Sequence, residues 1–181
     1  MRKPIVSFVV TTHSRPALLK RALESILSSS NSNYEIVLCA DEGEVATFQV
    51  AISTLRSCDT FLRIPSMNGP AESRNIGANV AKGRWVCFLD DDDVWTDPEH
   101  LERAHKSITA STTKVDAYYT NQKAVFVDGN EKPGPIWLDD LVQNLSHKTS
   151  DNNGSYVVSA EELTTSHGFA HLNCSIVRRE L

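Results

Sequence analysis

Four consecutive carboxylates, Asp90-Asp91-Asp92-Asp93, stand directly after the apolar run Trp85-Val86-Cys87-Phe88-Leu89. Adjacent carboxylates repel one another, and a cleft holding them uncompensated is costly to form. A divalent cation reverses that cost. Hard ions such as Mg²⁺ or Mn²⁺ take oxygen ligands, often one or two carboxylates together with substrate phosphates. The competing reading is a solvated acidic turn ahead of a helix, with Asp93 or Asp97 serving only as its cap. The apolar run that abuts the four acids favours the cation. Arg74 supplies a second signal. It falls early in a helical segment, where the helix dipole disfavours cations, and the same segment holds the weak helix formers Asn75, Gly77 and Asn79. Local rules broken in one place point to a site. A guanidinium beside a helix N-terminus can hold a diphosphate bidentately. A surface ion pair with Glu72 or with the aspartates would account for Arg74 equally well.

These groups need elements to hold them, and the chain alternates between two patterns. Ile5 to Val10 is a short continuous apolar run, as expected of a strand buried on both faces. Ser14-Arg15-Pro16 reads as a helix start, with Ser14 as cap and Pro16 in the first turn. Leu18, Leu19, Ala22, Leu23, Ile26 and Leu27 follow at helical spacing. Tyr34 to Cys39 reads as a second strand, Val45 to Leu55 as a second helix and Thr60 to Ile64 as a third strand. Pro70 opens a third helix ending at Gly83, Trp85 to Leu89 is a fourth strand, and Asp97-Pro98 opens a helix through Ser111. Buried strands alternating with helices predict an α/β fold with a mostly parallel central sheet and helices on both faces. In such sheets ligands bind beyond the carboxyl ends of the strands. His13 and Arg15, Asp41 and Glu42, and Asp90 to Asp93 each follow a strand, so all three groups are expected at one edge. Beyond residue 114 the pattern weakens: Val115 to Val127 reads as one or two strands, Lys132 to Pro135 as a turn, Ser146 to Ser155 as a mobile loop, and Leu172 to Val177 as a final strand.

The chain has 181 residues, enough to bury a core without disulfide or metal staples. Eighteen basic residues against 23 acidic ones give a net charge of −5, which argues against a nucleic-acid partner. The N-terminus lacks the long apolar stretch of a secretory signal, and no run approaches the 18 apolar residues of a membrane span. Cys39, Cys58, Cys87 and Cys174 are scattered and form no C-x-x-C pair, as for ordinary thiols in a reducing cytoplasm. Cytoplasmic residence is therefore expected, and peripheral association with a membrane surface remains compatible with it.

The segment Asn68-Gly69-Pro70-Ala71-Glu72-Ser73-Arg74-Asn75-Ile76-Gly77, followed by Ala81-Lys82-Gly83, the apolar strand and Leu89-Asp90-Asp91-Asp92-Asp93, resembles family 2 glycosyltransferases of the GT-A fold. Their pattern runs N-x-G-x-x-x-A-R-N-x-G, A-x-G, apolar strand, L-D-x-D-D. Val9 to Pro16 resembles their V-I-P-T-Y-N-R-P, and Asp41-Glu42-Gly43 stands where they carry D-D-G-S. The resemblance covers residues 4–111. It implies a GT-A, Rossmann-like sheet and an inverting, metal-dependent transfer of a sugar from a nucleotide-diphosphate donor, usually a UDP-sugar, to a hydroxyl acceptor, as in polysaccharide biosynthesis. Residues 1–111 would bind the donor and residues 112–181 would form part of an acceptor side. The implied nucleotide contacts are Thr11, Thr12, His13, Arg15, Asp41, Glu42, Arg74, Asp90 and Asp91. Asp92 would bind Mn²⁺ or Mg²⁺. Thr11, His13 and Ser14 replace the usual proline, tyrosine and asparagine, and Ala40-Asp41-Glu42 shifts the register of the second-strand acid by up to one residue. These departures bear on base preference more than on the reaction.

Glycosyl transfer also needs a base for the acceptor hydroxyl. In the family it lies in a stretch resembling F-D-E followed by E-D, downstream of a strand and R-R-E-L. Here His171 to Leu181 resembles that strand and R-R-E-L, so the base is expected beyond Leu181, and the chain is expected to bind donor without turnover. Asp151, Glu161 and Glu162 are weak in-chain substitutes. Asp90 to Val94 also satisfies the D-x-D-x-[TV] pattern of haloacid-dehalogenase-type, Mg²⁺-dependent phosphatases, but that motif normally follows the first strand, not the fourth. An EF-hand fails because Trp95 occupies the glycine position. His105, His147, His167 and His171 have no partner at fixed spacing and read as surface or loop residues.

Overall fold

The computed structural model describes residues 3–43, 45–65, 69–126, 129–133, 139–164 and 171–180. Asn68 of the motif, Val127, the Gly134-Pro135 end of the expected turn, His167 and Leu181 lie outside these residues. Six strands form one sheet in the order β3-β2-β1-β4-β6-β5. Strands β1 (Val6–Thr12), β2 (Tyr34–Asp41), β3 (Thr60–Ile64) and β4 (Trp85–Asp90) are mutually parallel where they pair. Strand β6 (Ser175–Arg178) adds antiparallel to β4, and β5 (Ala117–Tyr119) adds antiparallel to β6.

Every residue of β1 is buried, which is why its sequence reads as a mainly apolar run, interrupted by Ser7 and closed by Thr11 and Thr12. On one sheet face Phe8, Val10, Ile36, Leu38 and Cys87 pack with helices α1 (Pro16–Leu27), α2 (Val45–Thr54) and α4 (His100–Ala110), through Leu19, Leu23 and Ile26, Ala51, and Leu101 and Ala104. On the other face Val9, Val37, Cys39 and Val86 meet Ile76 of α3 (Pro70–Val80). The expected two-sided coverage is therefore present. Two short helices, α5 (Asp139–Asn144) and α6 (Ala160–Thr164), belong to the C-terminal part; Leu141, Leu145 and Leu163 pack there in a small separate cluster with Tyr119, Tyr156 and Val158.

Several expected boundaries moved, each for a visible reason. Ser14 does not cap α1. It takes a left-handed backbone (φ 53°), and the residue that borders the helix is Arg15, which makes no capping bond. Helix α3 stops at Val80 because the next backbone N–H groups have other partners: Lys82 donates to Glu35 Oε1 at 2.6 Å and Gly83 to Ser7 Oγ at 2.8 Å. Helix α4 starts at His100, since Asp97 closes a turn, accepting from Glu99 N at Oδ1 (3.0 Å) and from His100 N at its carbonyl (3.2 Å). The expected strand over Val115 to Val127 shrinks to β5 and a single bridge between Val125 and Glu131. Leu172 to Cys174 is a 3-10 turn, and the last strand begins only at Ser175. The loop expected to be mobile at Ser146 to Ser155 is closed by Asp151, whose Oδ1 accepts from Asn153 N and Ser155 N at 2.8 Å each. Among the described residues no helix is long and apolar enough to cross a membrane.

Candidate functional site

The register of β1 against its neighbours brings the expected groups together. Thr11 stands opposite Asp90 on one side and Cys39 on the other, and Thr12 opposite Ala40. The carboxyl ends of β1, β2 and β4 thus meet at the N-terminus of α3 and open into a cleft of about 550 Å³. Its walls include Thr11, Thr12, His13, Arg15, Asp41, Arg74, Asp90 and Asp92, with Gly69 and Pro70 from the start of α3. Gly69 has φ 101°, a left-handed conformation that glycine adopts without strain. Of the residues expected here, Glu42 and Asp91 do not line the cleft. Glu42 is exposed on the turn after β2, where its N–H donates to Ile64 O at 3.2 Å.

Asp91 is fully buried beneath the cleft. Thr12 Oγ1 donates to its Oδ2 at 2.6 Å, and Arg15 Nε donates to the same oxygen at 3.2 Å. Burial pushes the Asp91 carboxyl above its usual range, against the opposing effects of the Thr12 hydrogen bond and the Arg15 guanidinium. Arg15 also reaches Asp92, Nη1 donating to Oδ2 at 2.8 Å. Although its partial burial works the other way, Asp91 and Asp92 raise the Arg15 pKa and keep it charged. Asp91 therefore stands one layer below the expected nucleotide contacts and aims Arg15 and Thr12.

Arg74 pairs with the acidic run, Nη2 lying 2.5 Å from Asp90 Oδ1, and so the simpler reading of this arginine holds together with its place in the cleft wall. Its Nε is buried without a hydrogen-bond partner. The nearby Gly77, read from sequence as part of a site, has a packing role. A Cβ there would stand 2.5 Å from Val9 Cγ1 and 3.0 Å from Cys39 Sγ, so glycine lets α3 lie close on the sheet. At the far side of the cleft His13 Nδ1 contacts Asp41 Oδ2, with the imidazole exposed.

Carboxylate oxygens of Asp90, Asp92 and Asp93 lie within 4.8 Å of one another. Three hard oxygen donors that close suit Mg²⁺ or Mn²⁺, and among the described residues this is the group with that geometry. Arg15 and Arg74 offset part of the negative charge and leave the rest uncompensated. One further observation favours a ligand here. Of the five buried side-chain polar atoms without a hydrogen bond among the described residues, four belong to this neighbourhood: Asp41 Oδ1, Arg74 Nε, Asp91 Oδ1 and Asn173 Oδ1. Asp91 Oδ1 at least faces the Arg15 guanidinium.

Asn173 was missed in the sequence. It comes from the 3-10 turn before β6, and its Nδ2 donates to Asp90 Oδ2 at 3.2 Å and to Asp93 Oδ2. Only its adjacency to the strand-like Ser175-Ile176-Val177 run could have pointed to it. The in-chain candidates for a base lie elsewhere. Asp151 is tied into its loop, and a hydrogen bond from Lys148 holds the Glu162 carboxyl down at about 2. His147 Nδ1 lies 3.0 Å from Asn144 O, and the His171 side chain caps the turn that carries Asn173.

The family model for Glycosyl transferase family 2 matches residues 7–181. The succinoglycan biosynthesis protein ExoW of Rhizobium meliloti is 28% identical over 179 residues, covering 92% of this chain and 52% of that protein. Among solved structures, S. aureus TarS 1–349 in complex with UDP-GlcNAc superposes with a TM-score of 0.66 at 19% identity, covering 96% of this chain and 45% of that one. The mannosyltransferase PcManGT of Pyrobaculum calidifontis, in complex with GDP-Man and Mn²⁺, gives 0.54 at 21% identity over 65% and 35% of the two chains. The chain spans about half the length, or less, of these relatives. The acidic run at the end of β4, within a sheet of this order, gives the phosphatase reading no support.

Proposed function

The chain belongs to glycosyl transferase family 2, a family of sugar-transferring enzymes, and we propose from that premise that its cleft binds a UDP-sugar with Mn²⁺ or Mg²⁺ and presents the sugar for inverting transfer to a hydroxyl acceptor. The observation that carries this reading is the convergence of Asp41, Arg74, Asp90 and Asp92 on one 550 Å³ cleft at the carboxyl edge of the sheet. TarS with UDP-GlcNAc and PcManGT with GDP-Man and Mn²⁺, which share the fold, support a nucleotide sugar as ligand.

Each end of the cleft has its own task. Thr11, Thr12, His13 and Asp41 form the nucleobase end. The His13–Asp41 contact engages Asp41 Oδ2 and leaves Oδ1 buried without a hydrogen-bond partner. Asp90 faces the ribose, and Arg74 lies beside the N-terminus of α3, where phosphate oxygens find both a guanidinium and backbone N–H groups. Asp91 holds Arg15 and Thr12 in place from below. Asp92, with Asp93 and Asp90 beside it, would hold the cation; when bound, that ion stabilises the charge developing on the leaving diphosphate. Among the described lining residues the carboxylates are Asp41, Asp90 and Asp92, all with donor-side tasks. Residues 1–181 alone are therefore expected to bind donor and to transfer little.

Residues 112–181 are proposed as part of the acceptor side, built onto the same sheet through β5 and β6. Four free thiols support the expected reducing, cytoplasmic setting. The test is calorimetric titration of UDP into the chain with Mn²⁺ and with chelator. Binding is expected only with the ion, and Asp92→Ala is expected to weaken it by a factor of about 100 or more, in line with loss of a cation ligand. Equal binding with and without chelator would overturn the metal assignment.

A further inference from the structure

Asn173 joins the end of the chain to the acidic run. Its side chain is buried at 5% exposure, in the turn Leu172–Cys174 immediately before β6. The turn is fixed on three sides. The His171 side chain accepts from Asn173 N, Ser175 Oγ donates to Leu172 O at 2.6 Å, and β6 is paired to β4. From there one NH₂ group donates to both Asp90 Oδ2 and Asp93 Oδ2. Arg74 takes the other oxygen of Asp90. Asp90 is therefore held by the donor half through Arg74 and by the C-terminal part through Asn173. The amide oxygen of Asn173 is buried with no hydrogen-bond partner.

An amide suits this place for an electrostatic reason. Carboxylates within 4.8 Å of each other repel, and left alone they would rotate apart. Arg74 and Arg15 already pair with Asp90 and Asp92, and a lysine here would cancel the negative charge that is left for a divalent ion. A neutral NH₂ spanning two of them lowers the repulsion and leaves the cluster anionic. We propose that Asn173 is a positioning residue that fixes Asp90 and Asp93 for the divalent cation and thereby sets the affinity of the cleft for it. The inference rests on the cation reading of the acidic run and extends it to a residue outside the motif.

The test uses Mn²⁺ alone, without nucleotide. Wild type, Asp92→Ala, Asn173→Ala and Asn173→Asp are titrated by calorimetry, and each Tm is measured in chelator and in Mn²⁺. Asn173→Ala is expected to weaken Mn²⁺ binding about tenfold, the scale for losing a group that orients a metal ligand. Asn173→Asp keeps the shape but sets a carboxylate against Asp90 and Asp93. It is expected to lose stability in chelator and to recover it with Mn²⁺, so that its Mn²⁺-induced Tm shift exceeds that of wild type. A purely structural asparagine predicts wild-type Mn²⁺ affinity in Asn173→Ala and an equal Tm loss with and without the ion; that result overturns the proposal. If Asn173→Ala does not fold, Asn173→Ser, which keeps a short hydroxyl but cannot span both carboxylates, is titrated in its place, and wild-type Mn²⁺ affinity there overturns it. Wild type that fails to bind Mn²⁺ removes the cation reading and this inference together. Binding by wild type with unchanged Asn173 variants removes this inference only.

Discussion

Strand β1 carries a buried polar cluster at each end, and the two differ in completeness. At its start Ser7 Oγ donates to Glu35 Oε1 at 2.6 Å and accepts from Gly83 N, while Lys82 N donates to the same Glu35 oxygen and its ammonium lies 3.6 Å from Oε2. Glu35 is 2% exposed, yet each polar side chain buried there has a partner within the chain. At the other end the buried Thr12, Asp91 and Asn173 bond to the exposed Arg15 and the half-buried Asp90, which Arg74 also holds, but buried polar atoms stay without hydrogen bonds and the cluster faces an open cleft. A cluster that satisfies itself fastens the sheet to its loops. One that leaves donors and acceptors over beside an open cleft has polar groups that a ligand there would satisfy. Burial alone does not separate the two; saturation does.

Variants that strike one end only would sharpen that distinction. Glu35→Ala strips the Ser7 hydroxyl and the Lys82 N–H of their acceptor in a sealed place and is expected to cost about 3 kcal/mol, read by urea denaturation. Its folded fraction should bind UDP with Mn²⁺ as tightly as wild type, and weakened binding would break the comparison. Gly77→Ala forces a Cβ against Val9 and Cys39 and should cost about 2 kcal/mol despite alanine's better helix propensity. Because α3 carries Arg74, UDP binding should weaken with it.

A third test uses protons. His100 lies edge-on to Trp95 at 4.5 Å and near Tyr118 at 6.0 Å, and burial pushes its pKa down to about 4. The stability owed to keeping it neutral is complete above the unfolded value near 6.5 and is lost as pH falls toward 4. At pH 5.5 wild type should have lost about 1.4 kcal/mol relative to its pH 7.5 stability, and His100→Phe should be flatter over that range. The smallest effect separates the ends most cleanly. Thr12→Val and Ser7→Ala each remove one buried hydroxyl and should each cost about 1 kcal/mol. Only Thr12→Val should also weaken UDP binding, since it loosens the carboxylate that aims Arg15.

The parallel part of the sheet was legible because its constraints are local in sequence. Buried parallel strands write themselves as apolar runs, and groups that follow such strands must share an edge. His13, Arg15, Asp41, Asp90 and Asp92 reached the cleft for that reason, while Arg74 stands there in the first turns of α3. Asp91 defeated the same logic because neighbours at a strand end point in different directions, and one of the four had to go inward. Gly77 was misread because a weak helix former looks alike whether it admits a ligand or another element's side chain. Asn173 was illegible because its partners lie in a different part of the chain and its own segment has half-buried strands with no clear period. The Ser7–Glu35 cluster gave no signal because a lone serine and a lone glutamate in apolar runs announce nothing until the strands pair.

The antiparallel β6 has a consequence for how the protein is made. Its partner β4 leaves the ribosome about ninety residues earlier and must wait with one side of its backbone unpaired. An apolar strand with a free edge invites pairing with a neighbouring chain. The charge that follows Leu89 discourages such an encounter, since two nascent chains aligning there would bring eight carboxylates together. The acidic run thus discourages that encounter during synthesis, until β6 arrives and covers the edge.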